Sequence, residues 1–434
     1  MPPACCVRNP GWCTVGIARA RWDVGHCGSP APSRGVDPGV SSTVLPWWRK
    51  ILPGVLLLLT SAPALAQEAW LVTYGPGGDA WSRFGHNAVM IRDDERGIEI
   101  NYAFGYFDMN RPGFLTDFLQ GILIYEGHAT RSQRELAYYR DQDRSVRKQR
   151  LNLSPDEVER FHELLQYHVR PENRTYEYDY YYNNCSTRIR DLLDKAMGGG
   201  LRSAMEERPA RLNLRDHTHR LSQNDFWLHT GLMLVLGPGV DGERNAWEEM
   251  FLPMAMADQL AEFERAGEPL VTEDFHWYES AAHGAPRDPG HRLFSYALAG
   301  VLTAAFLLVP AWRLSGRMRW LPLQALAMVS ALAGTGLLLL WFASNHDAIW
   351  RNAVLLLLNP LWLLALWRRP PLPPRGIIAV LGLLTVAGAI VLAWPEGYQY
   401  RPGPLLWLVP ANLAALAALW WRWTTAGGER GGYQ

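Results

Sequence analysis

The sequence carries no excess of charge of either sign and almost no cysteine beyond its first residues. Its 42 basic and 42 acidic residues give a formal net charge of zero. This balance argues against a nucleic-acid partner, which usually requires a basic footprint. Four of the five cysteines lie within residues 1–44 and lack the paired C-x-x-C spacing of metal or redox sites. No motif indicates a metal or a nucleotide, so we predict no cofactor.

Charged residues are also scarce after about residue 292, and this scarcity divides the 434-residue chain in two. Crossing a bilayer takes roughly 17 to 25 apolar residues. Five segments of about that length follow, at 296–312, 321–343, 348–367, 377–394 and 405–420. We therefore predict an all-α, polytopic membrane domain of about five helices over residues 291–424, with a cytoplasmic tail at 425–434.

Arginines set the orientation of this membrane domain. Three follow the first apolar segment and three follow the third, at positions 313, 317, 319, 368, 369 and 375. Cytoplasmic loops are enriched in Lys and Arg, so these two loops should be cytoplasmic. The domain that precedes the first helix should then face outward.

A predicted export signal agrees with this orientation. Residues 49–50 are basic, residues 51–60 form an apolar core, and Ala64-Leu65-Ala66 resembles a cleavage site. We predict a signal peptide over 45–66 and cleavage after Ala66. Residues 1–44 show no apolar periodicity, and we expect an unstructured leader or a start assigned too far upstream.

The exported part, residues 67–290, shows the alternating patterns of an α+β domain. Residues 69–73, 86–91, 98–104 and 176–182 are typical of strands. Ser154, Pro155 and Glu157 have the spacing of a capping box that opens a helix to about His168. A second helix is predicted near residues 188–197, ended by three glycines.

Cys185 is the only cysteine that remains after the predicted cleavage, so it has no partner for an intrachain disulfide. It lies in the first turn of the second helix, with Asn184 or Asn183 as the predicted N-cap. Helix dipole and unpaired N–H groups favour a thiolate there, and we predict a lowered pKa. The same N–H groups could hold an oxyanion, and Arg188 adds positive potential. The alternative is a buried, inert cysteine.

A thiol nucleophile needs a base, and His86 is the first candidate. It opens an apolar strand directly after a glycine-rich, aromatic loop that contains Ser82, which suits a side chain directed into a cleft. His128 is the alternative. Surface roles are predicted for four other histidines, on a helix or in a polar loop: His162, His168, His217 and His219.

Four stretches together resemble a known family. They are FGHNAVMI at 84–91, NYAFG at 101–105, GILIYEGH at 121–128 and YYYNNCSTRIRDLL at 180–193. They resemble the periplasmic domain of the Lnb family of lipoprotein N-acyltransferases, over about residues 68–230. That family is similar to circularly permuted, papain-like NlpC/P60 thiol enzymes, in which the histidine strand precedes the cysteine helix. The resemblance therefore implies a permuted papain-like (NlpC/P60-like) domain.

The resemblance also implies further site residues. Papain-like sites carry a polar residue that orients the imidazole, usually on the next strand, and Asn101 is our choice, with Glu99 as the alternative. In the membrane part, His346 and Asn352 match an H-x-x-x-x-x-N-x-N-L-like stretch of relatives, whereas Val354 replaces its second asparagine. The predicted substrate-binding residues are Asn184, Arg188, Ser82, His346 and Asn352.

Asn345, Asn352 and Asn359 recur every seven residues within the predicted membrane domain. On a helix this spacing would place them along one stripe. Polar residues in a membrane usually face the interior of a helix bundle or a cavity. The stripe could therefore serve hydrogen bonds between helices or form, with His346, an outward-facing polar patch below the exported domain.

The resemblance implies an acyl transfer. Cys185, deprotonated by His86, would take a fatty acyl chain from a phospholipid or a diacylglyceryl group and pass it to the N-terminal amine of a lipoprotein. The implied partners are phospholipid and lipoprotein, and the implied location is a bacterial inner membrane, with the catalytic domain in the periplasm. Two alternatives stay open: an NlpC/P60-like amidase or peptidase acting on peptidoglycan, and a non-catalytic envelope scaffold. Oligomeric state is open too.

Overall fold

The computed structural model describes residues 67–290, 292–367, 372–394 and 401–428, which belong to one compact unit. The predicted leader, the signal peptide and most of the predicted tail lie outside the described residues.

The exported domain is built on one antiparallel sheet of seven strands. The predicted strands at 69–73, 86–91 and 98–104 are confirmed. The predicted strand at 176–182 is wrong beyond Glu177, because the Asp179 carboxylate accepts the N–H groups of Tyr181 and Tyr182 and forms a turn. The strands are β1 (Glu68–Tyr74), β2 (His86–Asp93), β3 (Ile98–Tyr106), β4 (Ile124–Arg131), β5 (Val146–Leu151), β6 (Thr175–Glu177), β7 (Glu264–Arg265), β8 (Glu268–Pro269) and β9 (Val271–Tyr278). In the sheet the order is β6-β4-β3-β2-β1-β5-β9, and β7 and β8 form a separate hairpin.

Nine helices of this domain are described. They are α1 (Phe114–Gln120), α2 (Ser132–Asp141), α3 (Pro155–His168), α4 (Cys185–Ala196), α5 (Gly200–Glu206), α6 (Leu214–Ser222), α7 (Phe226–Val235), α8 (Ala246–Glu249) and α9 (Pro253–Ala261). The capping box of α3 is confirmed, because Ser154 Oγ accepts the Glu157 N–H and the Glu157 carboxylate accepts the Ser154 N–H. The second predicted helix is also confirmed, and it begins at Cys185.

The two faces of the sheet pack against different helices. One face, with Val89 and Phe104, forms a core with α3, α4 and α9. The other face, with Ala88 and Met90, packs on α2. Successive side chains of a strand point to opposite faces, so His86 belongs to the α2 face although Cys185 begins a helix on the first face. The two residues can meet only at the end of β2.

In the membrane part, four helices of the described chain are long and apolar enough to cross a bilayer. They are α10 (Leu293–Arg313), α11 (Leu321–Ala343), α12 (Pro374–Ala393) and α13 (Pro402–Gly428). The predicted helix at 348–367 is wrong: the chain there forms short 3-10 segments at Asp347–Ile349, Ala353–Leu356 and Pro360–Leu366. The predicted number of about five helices is therefore four within the described residues.

Local hydrogen bonding explains why this segment is not a continuous α-helix. The Asn352 side chain accepts the N–H of Val354, which competes with a helical hydrogen bond, and Pro360 has no N–H to donate. The predicted stripe of three asparagines does not form, because the stripe requires a continuous helix.

Non-helical backbone at membrane depth persists only where protein groups satisfy it. Here Asn412 of α13 donates to the Leu357 carbonyl and Arg422 donates to the Ala365 carbonyl. At the end of the segment, the Trp423 indole N–H donates to the Trp367 carbonyl. The segment therefore runs along the bundle with α13 side chains as its hydrogen-bond donors.

The exported domain is docked on the outer ends of the membrane helices. Asn352 Nδ2 donates to the carbonyls of Leu234 and Val235 at 2.7 and 2.8 Å, at the end of α7. Asp241 forms buried ion pairs with Arg215 and, at 3.1 Å, with Arg401 before α13. These contacts hold the exported domain against the membrane helices.

Candidate active site

Cys185 is the first residue of α4, and the predicted N-cap Asn184 is confirmed. Asn184 Oδ1 accepts the N–H groups of Ser186 and Thr187 at 2.8 and 2.9 Å. Its amide donates to the carbonyls of Tyr180 and Phe251, both at 2.9 Å. The side chain thus holds the helix start in place through backbone groups, and its contact with substrate stays a prediction.

Asn87 and Ser186 join the histidine strand to the cysteine helix. Asn87 Nδ2 donates to Ser186 Oγ at 3.1 Å, and Ser186 Oγ donates to the Met250 carbonyl at 2.7 Å. Each residue directly follows a predicted catalytic residue, so these buried bonds bring Cys185 and His86 to the same end of β2. Our sequence reasoning missed both residues, although a lone polar residue within the apolar HNAVMI strand was a usable signal.

Gly105, near the end of β3, lies against Cys185. A Cβ atom at residue 105 would be 3.5 Å from the Cβ of Cys185 and 3.8 Å from the Tyr178 ring. The φ of Gly105 is +99°, a conformation that favours glycine, and the β3–β4 register shifts between Phe104 and Tyr106. The glycine therefore allows the strand end and two aromatic side chains to surround the thiol closely.

The environment of Cys185 raises the pKa of its thiol to about 11, because the surrounding side chains withdraw the sulfur from water. The N–H groups of Asn87, Ser186 and Cys185 and the Arg144 guanidinium oppose this shift only in part. The predicted lowering is therefore wrong, since desolvation outweighs the position at a helix start. At neutral pH the group is a thiol, in a residue that is half-buried.

His86 lies among three tyrosine rings. It stacks with Tyr74 and Tyr139, with ring centroids 6.1 and 6.0 Å apart, and meets the edge of Tyr106 at 6.2 Å. Burial, aided by the nearby Arg144 guanidinium, lowers the pKa of His86 to about 3. Its Nε2 is buried and has no hydrogen-bond partner within the described residues. The imidazole is therefore neutral and can accept a proton.

Asn101 contacts Tyr74, the residue that stacks on His86. Asn101 is buried on β3 opposite Met90, whereas Tyr74 is the residue directly opposite His86. The Asn101 amide donates to the Tyr74 hydroxyl at 3.0 Å. The alternative, Glu99, lies nearer the start of β3, and its Oε1 is 4.0 Å from Nε of Arg92.

Two polar residues near the rings that surround His86 were not predicted from the sequence: Glu135 and Arg144. Glu135 of α2 is buried, and burial raises the pKa of its carboxyl to about 7, while Asn101 and Tyr74 beside it oppose that shift. Arg144 lies 4.7 Å from the centre of the Tyr139 ring and donates to the Gly75 carbonyl. These groups come from separate segments, and no local pattern marked them.

His128 lies one strand further from β2. It is on β4, opposite Ala103, and its Nε2 is 3.2 Å from the Glu126 carboxylate. The Tyr106 ring, 4.8 Å from His128, contacts both histidines. His128 thus contacts a carboxylate, whereas the Nε2 of His86 has no hydrogen-bond partner within the described residues.

The remaining predicted residues have contacts elsewhere. Ser82 Oγ donates to the Asp79 carbonyl at 3.0 Å. Arg188 stacks on Tyr176 at 4.2 Å and bonds to His168. His346 bonds through Nε2 to the Phe118 carbonyl at 2.7 Å. Asn352 donates to the Leu234 carbonyl, at the contact between the exported domain and the membrane part. Their substrate contacts stay predictions.

The predicted surface role of His217 is wrong. Its side chain is buried in α6, and Nε2 is 2.9 Å from the Glu249 carboxylate. Among the residues that the structure describes, no group of three or more His, Cys, Asp or Glu could hold a metal ion.

These features define a class: a mixed α/β domain, in which a cysteine begins a helix and a histidine begins a strand, anchored by membrane helices. Two family models match the chain, the Lnb N-terminal periplasmic domain over residues 62–220 and the Lnb transmembrane domain over residues 293–370. Together they span more than half of the sequence, and the chain belongs to the Lnb-type family, as a membrane-anchored protein with a periplasmic domain. None of the curated proteins or solved structures matches it. The NlpC/P60 resemblance stays a prediction.

Proposed function

We propose that this protein is a thiol acyltransferase of the bacterial inner membrane, which moves a fatty acyl chain through a Cys185 thioester onto the N-terminal amine of lipoproteins. The resemblance to the Lnb family of lipoprotein N-acyltransferases implies this reaction. The observation that carries the proposal is that the N–H of Asn87, the residue after His86, bonds to the Cys185 sulfur, so the thiol lies near the end of β2 that begins with His86. A base beside a nucleophile is the arrangement that covalent catalysis requires.

The resting pair is neutral, because burial raises the pKa of Cys185 and lowers that of His86. Proton transfer from the thiol to His86 therefore accompanies the attack of sulfur on an ester carbonyl. The N–H groups of Cys185 and Asn87, which act on the sulfur, are the nearest donors for the oxyanion. Collapse breaks the ester C–O bond, the leaving alkoxide takes the proton from His86, and a thioester forms together with the lyso product of the phospholipid or diacylglyceryl donor.

The second half returns the enzyme to its thiol form. The lipoprotein amine attacks the thioester carbonyl, and the C–S bond breaks. The proton that the amine loses passes by way of His86 to the sulfur. The products are an N-acyl lipoprotein and the free Cys185 thiol, so no additional reactant is needed.

Of the two candidate bases, the geometry favours His86. Asn87 and Ser186 tie the strand of His86 to the helix of Cys185, whereas His128 is on a strand beyond β3 and pairs with Glu126. General-base catalysis typically contributes about 10² to 10⁴ in rate. His86→Gln should therefore lose about this factor, and His128→Gln should stay within severalfold of the wild type.

The test uses the full-length protein in proteoliposomes with phospholipid and a diacylated lipopeptide. Mass spectrometry should find an acyl group on Cys185 and on the lipopeptide amine with the wild type, and neither with Cys185→Ala. Release of peptidoglycan fragments without acyl transfer would instead indicate an amidase or peptidase. Equal behaviour of wild type and Cys185→Ala in both assays would indicate a scaffold.

A further inference from the structure

Residues 106–122, here the interfacial segment, expose an unusual number of large apolar side chains. Leu115 and Leu119, one turn apart on α1, are 68% and 54% exposed, and Met109 and Ile122 are also exposed. The charges of Arg111 and Asp117 offset each other in an ion pair of 2.7 Å. An exposed apolar cluster of this kind marks a surface that contacts another apolar phase.

Hydrogen bonds hold the interfacial segment against the residues that follow membrane helix α11. The Asn345 N–H donates to the Gln120 carbonyl at 2.9 Å, and His346 bonds to the Phe118 carbonyl. Asn345 lies just beyond the membrane-spanning helix α11, whose last turn exposes Phe342. Helix α1 is therefore held at the outer end of a membrane helix, where amphipathic helices bury their apolar face in the lipid boundary.

A line of aromatic rings runs from this boundary to the thiol. Tyr178 lies beside Gly105, the residue that contacts Cys185. The Tyr178 and Tyr180 centroids are 5.9 Å apart, and Tyr180 stacks on His346 at 6.1 Å. Three rings thus connect the site to the outer end of α11.

A second line of rings makes the same connection through the interfacial segment. Tyr178 stacks on Tyr125 at 4.2 Å, and Tyr125 stacks on Phe107 at 4.7 Å. Phe107, Phe114 and Phe118 follow at 5.9 and 6.1 Å, and Phe118 meets His346 at 6.0 Å. The two lines share Tyr178 and His346, and we call them together the aromatic corridor.

We propose that the interfacial segment inserts into the outer leaflet and that the aromatic corridor receives the acyl chain of a membrane glycerolipid, which brings its ester carbonyl to Cys185. Delivery to Cys185 rests on the proposed function, whereas insertion and acyl-chain binding do not.

The first test is independent of activity. The full-length Cys185→Ser protein is reconstituted in nanodiscs with a phospholipid that carries a diazirine within its acyl chain, and photo-adducts are mapped by mass spectrometry. We expect adducts on residues 107–118 and 178–180 besides the membrane helices. Leu115→Asp/Leu119→Asp should remove the corridor adducts and leave those on α11 unchanged. Adducts confined to the membrane helices in the parent protein would overturn the proposal.

The second test measures acyl transfer from bilayer phospholipid. Leu115→Asp/Leu119→Asp should slow transfer at least about tenfold, because charged side chains oppose insertion. The rate at which iodoacetamide, a soluble probe, alkylates Cys185 in this variant should stay within about twofold of the wild-type rate. Such a result shows that the fold and the site are intact. The matched control Tyr167→Asp, at a similarly exposed position on α3, should change neither rate.

The two tests separate the two proposals. Corridor adducts in a protein without any transfer activity would contradict the proposed function but support acyl-chain binding. Transfer that is unchanged in Leu115→Asp/Leu119→Asp would overturn the corridor as the route to Cys185.

Discussion

Tyr74 lies directly opposite His86 in the β1–β2 register, and the two rings stack at 6.1 Å with an interplanar angle of 16°. The hydroxyl of the same tyrosine accepts the Asn101 amide, beside the buried carboxyl of Glu135. The imidazole of His86 is therefore held by an aromatic stack, and the polar residues predicted to orient it act through that stack.

The first prediction concerns the bond between Asn101 and Tyr74. Tyr74→Phe and Asn101→Ala should each lower kcat severalfold with little change in KM, because both loosen the support of His86 without touching substrate. Removing one partner of a buried hydrogen bond costs about 1 to 3 kcal/mol of stability. A double-mutant cycle on unfolding should show coupling, and strictly additive losses would contradict a direct interaction.

The second prediction concerns the pH dependence of Cys185. Its thiol pKa is raised to about 11, so the thiolate fraction falls about tenfold for each pH unit below that value. Iodoacetamide alkylation, followed by mass spectrometry on the peptide that contains Cys185, should titrate well above the ordinary thiol range. Urea-unfolded protein is the control and should titrate in that range. An apparent pKa at or below the ordinary thiol value of about 8.5 in the folded protein would contradict the desolvated thiol.

The third prediction concerns Glu135. Its pKa rises from 4.5 to about 7 on folding, so the associated stability is present below pH 4.5 and is lost as the pH rises through 7. Glu135→Gln is neutral at every pH and should be the more stable protein at pH 8, by up to about 3 kcal/mol. Unfolding at pH 5.5 and 8 measures this difference. Glu159→Gln, at an exposed position on α3, should show no such gain.

The fourth prediction compares two helix caps. Ser154→Ala and Asn184→Ala each remove a capping box and should lower the free energy of unfolding by about 1 to 2 kcal/mol. Only Asn184→Ala should also slow acyl transfer at 25 °C, because that cap positions Cys185. Equal activity in the two variants would show that the start of α4 tolerates the loss of its cap.

Local patterns predicted a large part of the exported domain. The alternation of residues 86–91 and 98–104 and the capping box at Ser154 gave the correct elements, because a strand period and a cap depend on near neighbours. The aromatic run at 176–182 predicted a strand that is too long, because a single carboxylate, Asp179, turns the chain after Glu177. Hydropathy likewise predicted a helix at 348–367, where Asn352 and Pro360 interrupt it.

The sequence by itself determined that Cys185 begins a helix, that His86 opens a strand before it, and that apolar segments follow an exported domain. These are properties of residues close together in the chain. Only the tertiary structure decided that Asn87 and Ser186 join the two segments, that Tyr74 and Glu135 stand behind His86, and that the thiol is protonated. Desolvation depends on every group packed around the sulfur, and β2, β3 and α2 bring those groups from distant parts of the sequence.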